Sequence, residues 1–152
     1  LALLAAAAHA ARLVLWQPWR TLRTPLVWIL HASYAWIAVH LALRGFAALD
    51  WIAPSLATHA LTVGAIGGLT LGMMTRTARG HTGLPLTAAR AEVAMYLLVH
   101  LAAITRVAGG FVESFYLVSL QASGLLWAAA FAVYFVRYLP VLWRPRADGR
   151  PG

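Results

Sequence analysis

Six histidines, three methionines and a scatter of arginines are the residues here with chemistry to offer, and there is no cysteine. That absence removes disulfides, thiolate nucleophiles and cysteine-bound zinc or iron–sulfur centres. Any metal must then be held by His, Met, carboxylate or backbone oxygen. Neutral imidazole binds haem iron, copper and zinc. His31 and His40 are nine positions apart, which on a helix places them on opposite faces and about 13.5 Å apart along the axis, so they cannot share one ion. His40, His59 and His100 fall at a common depth once the spans below are laid out, and form a candidate ligand set. The other reading of each is a histidine bonded to a nearby carbonyl or facing the aqueous boundary. A second group, His9, His31, Met73, Met74 and Met95, combines imidazole with thioether and would suit copper. Methionine is also an ordinary gap-filler in packed helices.

Gly64, Gly68 and Gly72 repeat every four residues and make a stripe that another helix, or a flat cofactor, can approach closely. His59 lies on a different face, in line with Thr62, Ile66, Thr70 and Met73. The run Arg76-Thr-Ala-Arg-Gly-His-Thr-Gly83 reads as a loop whose guanidiniums, with His81, can hold an anion, a haem propionate or a lipid headgroup; its plainer reading is a basic loop lying on phospholipid. Glu92 is placed to pair with Arg90, Arg76 or Arg79. Asp50 and Glu113 are candidates to partner Arg44 and Arg106, or to serve a proton path, while Gln121 and Trp127 have ordinary packing roles. Phosphate-binding glycine loops, nucleophile elbows, paired catalytic carboxylates and HExxH motifs are all missing, so no residue is assigned a catalytic role.

These groups must be positioned by membrane helices. Of 152 residues 62% are hydrophobic and only 11% charged, far beyond the roughly 45–50% apolar content of a soluble domain. A span needs about 20 apolar residues. Stretches 26–43, 56–74, 91–107 and 116–138 qualify, and residues 1–16 read as a truncated fifth span, with Pro- and Gly-marked links between them. The expected fold is an all-α polytopic transmembrane bundle over 1–143, followed by a disordered cytoplasmic tail, 144–152. The net charge of +8 is carried entirely by arginine, ten on one set of alternate ends against Arg44 and Arg106 on the other. By the positive-inside rule the arginine-rich ends and the C-terminus face the cytoplasm. Trp16, Trp19, Tyr138 and Trp143 at one boundary, and Trp51, Phe111, Phe115 and Tyr116 at the other, form aromatic belts. The opening apolar run, with no charged region before it, reads as an internal start to which further helices of a parent chain belong.

The run from His59 to Gly83 couples His-Ala-Leu-Thr-Val-Gly to Met-Met-Thr-Arg and then Gly-His-Thr-Gly. It resembles the NnrS family, polytopic bacterial inner-membrane proteins associated with haem, copper, the nitric oxide response and denitrification. Leu84 stands where that pattern has a basic residue, and family members have about twice as many helices, so the resemblance is to a C-terminal part. It adds weight to His59, Arg76 and His81, and to Gly64, Gly68 and Gly80. The resemblance implies an inner-membrane protein whose histidines hold a redox centre of b-type haem, copper or both, acting in catalysis, sensing or metal delivery, with a redox partner. The rival class is a transporter or structural membrane subunit without metal, in which the histidines relay protons or simply pack; broken helices near mid-membrane would favour it.

Overall fold

A computed structural model describes residues 1–149, and every regular element in them is helical. Helix α1 covers Ala2–Leu15, and a 3₁₀ turn, Pro18–Thr21, leads into α2, Pro25–Ala47. Helix α3 runs Pro54–His81, α4 Arg90–Ala108 and α5 Tyr116–Leu142. With their 3₁₀ extensions, α2 to α5 are four helices long and apolar enough to cross a membrane. Helix α1, at 14 residues, reaches only about 21 Å at 1.5 Å per residue, short of a hydrocarbon core about 30 Å thick.

The starts follow local chemistry. Pro25 and Pro54 occupy the first turns of α2 and α3, where a missing N–H costs nothing. Helix α4 begins where Glu92 folds back to accept the Ala89 N–H at 2.9 Å, one half of a capping box. Helix α3 is not regular throughout: Ala60–Ile66 forms a π turn immediately after His59. It also ends later than hydropathy predicts. Arg76, Arg79, Gly80 and His81, read from sequence as loop, are its last turns, and the connection begins at Thr82. Thr75, Ala78 and Arg79 continue the buried face of α3 beyond its apolar run, and that holds the helix together.

Helices α3 and α4 are central. Half of the α3 span is buried within the chain against 11% of α5. One apolar cluster joins Leu26, Ile29, Leu71, Met95, Tyr96, Val99, Ala130 and Tyr138. A smaller one, toward the arginine-poor end, joins Leu43, Leu56, Ala57, Ala60 and Val107. Leu4, Leu15, Leu117, Leu125, Phe135 and Val136 remain exposed, as surfaces facing lipid do. The glycine stripe is covered by α2. A side chain at Gly64 would meet Trp36, one at Gly68 would meet Ser33, and one at Gly72 would meet Ile29, an antiparallel register of two closely packed helices. A helix, not a flat cofactor, fills that face.

The start of the tail, to Gly149, folds back on the α3–α4 connection. Arg146 donates to the His81 carbonyl and to Asp148, each at 2.9 Å or less, and the Ala147 N–H donates to the Thr82 carbonyl at 2.9 Å. Arg150 and the rest of the expected disordered segment lie outside the described residues.

Candidate cofactor groove and polar core

A histidine ligates a metal through a ring nitrogen whose lone pair is free, and the hydrogen bond at the other nitrogen decides which one that is. His31 sits on α2 with Nδ1 3.2 Å from Thr21 Oγ1. The Thr21 hydroxyl spends its single proton on the Pro18 carbonyl at 2.7 Å. Its oxygen is therefore the acceptor, Nδ1 of His31 carries the proton, and Nε2 keeps a free lone pair. His40 reaches the same tautomer by donating from Nδ1 to the Ala57 carbonyl at 2.7 Å.

His59 and His100 are in the opposite condition. Arg106, which can only donate, places Nη2 2.8 Å from His59 Nε2, so that lone pair is occupied. The Trp36 indole donates to His100 Nδ1 at 3.2 Å, which puts the neutral ring's proton on Nε2. That Nε2 is buried and without a partner, as are Tyr96 Oη and Arg106 Nη1. His100 packs where Gly68 leaves room, its Cε1 3.3 Å from where a side chain there would start, with the Trp28 ring 6.3 Å away. Among the described residues no three His, Cys, Asp or Glu side chains come together to hold an ion. His40, His59 and His100 are thus drawn into three separate hydrogen bonds.

His31 and Met73 do share a space. They line a groove of about 600 Å³ together with Trp16, Leu30, Tyr34 and Leu69, its walls supplied by α2, α3 and the residue that follows α1. The Trp16 and Tyr34 rings lie 4.8 Å apart, and Tyr34 Oη is 2.7 Å from His9 Nδ1. Met73 also lines a second groove of about 430 Å³ with Thr70, Met74, Thr77, His81 and Tyr134. Met73 is therefore the wall between the two. Met95, the remaining methionine, is wholly buried in the core cluster. Arg76 is exposed and, among the described residues, takes part in no ion pair.

At the arginine-rich end the buried carboxylate of Glu92 gathers Arg79 Nη1 at 3.2 Å, the Tyr138 hydroxyl at 2.7 Å and Arg137 Nε at 3.7 Å. Arg79 was one of the three partners expected for Glu92. The Tyr138 contact was not foreseen, because a tyrosine near the end of a span reads as belt. Asp50 and Glu113 form no ion pair with Arg44 or Arg106 among the described residues. Thr21, Trp36 and Tyr34 also escaped the sequence reading; they act on histidines 10, 64 and 25 positions away, and local spacing carries no signal of that.

A family model described as NnrS protein matches residues 1–146. No curated protein and no solved structure matches the chain. With the match spanning nearly all of this four-span helical bundle, the chain belongs to the NnrS protein family, a membership that points to a membrane protein of the nitric oxide response.

Proposed function

We propose that the chain is part of an inner-membrane haem or copper protein of the nitric oxide response or denitrification, and that the ligands it contributes are His31 and Met73. One observation carries this reading: an imidazole and a thioether line one apolar groove of about 600 Å³, and Thr21 holds that imidazole in the tautomer a metal needs. His40 offers the same tautomer but lines none of the grooves described. His59 and His100 do not fit as ligands while Arg106 and Trp36 hold their nitrogens.

The donor set suits the soft, imidazole-binding metals, copper and haem iron. A haem here would be held without thioether bonds, as a b-type haem is, since the chain has no cysteine to attach one covalently. When bound, such a centre would supply one-electron chemistry. The residues of the chain do the rest. Thr21 fixes the His31 ring, Trp16 and Tyr34 supply aromatic walls, and Met73 offers a second donor from the facing helix. The arginine-rich ends face the cytoplasm in this reading, by the ten-to-two distribution of charge.

The test is the visible spectrum, oxidised and dithionite-reduced, of the haem-supplied, detergent-purified protein. Reduced-state α and β bands that shift or vanish in His31→Ala, and weaken or move in Met73→Ala, while His59→Ala keeps them, are the expected result. Bands lost in His59→Ala and unchanged in His31→Ala would overturn the assignment. A featureless spectrum would remove the haem and leave copper analysis of the same variants to decide.

A further inference from the structure

We propose that Arg106 is the cation of a binding site for a small monovalent anion, of halide or nitrate size, with His59 and Tyr116 as its neutral walls. Arg106 is 7% exposed and lies 16 residues into α4, about 24 Å along the helix from Arg90. An arginine so near the end of a span ordinarily extends its head group to the interface. This one turns inward. Nη2 lies 2.8 Å from His59 Nε2 and 3.4 Å from the Tyr116 hydroxyl, and the guanidinium stands 5.2 Å from the centre of the Tyr116 ring.

None of these partners carries a charge to offset it. His59 accepts from Arg106 and is therefore neutral. Among the described residues no carboxylate lies within 4 Å of the guanidinium, and Asp50 and Glu113, the acids of this end, are exposed. A lysine or histidine in this position would shed its proton, but a guanidinium stays charged. A buried cation that cannot discharge requires an anion, and Nη1 is the buried donor left without a partner. Arg44, the other arginine of this end, is exposed and has no such need.

The chain is tightly packed just beyond this arginine. Gly109 and Gly110, about one turn beyond Arg106, are so close to Ser119 and Leu56 that a side chain at either would collide. Tyr116, 43% exposed, is the member of the set with freedom to give way. One uncompensated positive charge calls for one negative charge, and a halide or a planar monovalent oxyanion is far less costly to desolvate than a divalent anion such as sulfate.

The experiment is thermal unfolding of the purified protein as chloride is raised from about 1 mM to about 100 mM, with gluconate holding ionic strength constant, alongside the ³⁵Cl NMR line width. An anion bound only by the folded state raises the midpoint with its concentration. Expected are a chloride- or bromide-dependent rise in midpoint and saturable line broadening in the wild type. Both should be absent in Arg106→Met and retained in Arg44→Gln, with sulfate inactive. A wild-type midpoint and line width indifferent to chloride would overturn the proposal, even if Arg106→Met did not fold. Equal losses in Arg106→Met and Arg44→Gln would overturn it too, by showing diffuse surface charge. Halides also bind metals, so both effects must persist in His31→Ala; their loss there would place the anion at the metal and overturn the Arg106 site, independently of the spectroscopic test of His31 and Met73.

Discussion

The Arg79 guanidinium and the Glu92 carboxylate meet at 3.2 Å, closing the connection between α3 and α4, and both side chains are almost wholly shielded from solvent. Arg79 also donates from Nε to the Pro85 carbonyl at 2.7 Å, and Glu92 receives the Ala89 N–H and the Tyr138 hydroxyl. One ion pair therefore ties together two central helices, the segment that joins them and the last helix of the bundle.

Removing one member should cost far more than removing both. Glu92→Gln strands the Arg79 charge in a buried site, and a loss of about 3–5 kcal/mol is expected. Tyr138→Phe removes one hydrogen bond from a carboxylate that keeps its cation, and should cost about 1.5–3 kcal/mol. The paired replacement Arg79→Met with Glu92→Met should recover much of the loss, because it buries no charge. Denaturant or thermal unfolding of the purified variants in detergent checks this. Wild-type stability in Glu92→Gln would mean that the pair is dispensable.

The stripe on α3 makes a contrast between glycines. A side chain at Gly68 collides with Ser33 and presses on His100, and one at Gly64 falls on the Trp36 ring, whereas nothing lies within 4 Å of the corresponding point at Gly80. Gly68→Val should force α2 and α3 apart and lower the unfolding midpoint strongly, on the scale of about 1–3 kcal/mol or more for overpacking. Gly80→Ala, in the last turn of the same helix, should be neutral or slightly stabilising, since alanine is the better helix former. Equal effects at the two positions would contradict the helix-on-helix role of the stripe.

Hydropathy and the alternation of arginine were enough to place the four long helices, because hydrocarbon demands continuous apolar runs and the two signals agree at every end. They misplaced the end of α3. Arg76 and Arg79 interrupt the apolar run, yet Thr75, Ala78 and Arg79 keep its buried face going, with a charge that Glu92 satisfies. The pairing of Glu92 with an arginine was readable, since a lone acid at the start of a span needs one. The state of the histidines was not. Which imidazole has a free lone pair depends on Thr21, Ala57, Trp36 and Arg106, partners fixed only when the helices pack. Sequence spacing groups His40, His59 and His100 by depth, while hydrogen bonding separates them by partner, leaving a free lone pair on His40 and occupying those of His59 and His100.

Sidedness can be read directly because the chain has no cysteine of its own. Ser55 and Thr87 are both exposed and lie on opposite ends of α3, one at its start and one in the connection beyond its finish. If the arginine-rich ends are cytoplasmic, Ser55→Cys in intact cells made permeable only at the outer membrane should react with a membrane-impermeant maleimide. Thr87→Cys should react only after the inner membrane is opened. The asymmetry of ten arginines against two supports that orientation, since moving arginine through the insertion machinery is what the positive-inside rule penalises. The reverse labelling pattern would place Arg106 and His59 toward the cytoplasm. The arginine-rich connection would then face outward, and the charge distribution would need another origin, such as contact with anionic lipid at the outer leaflet.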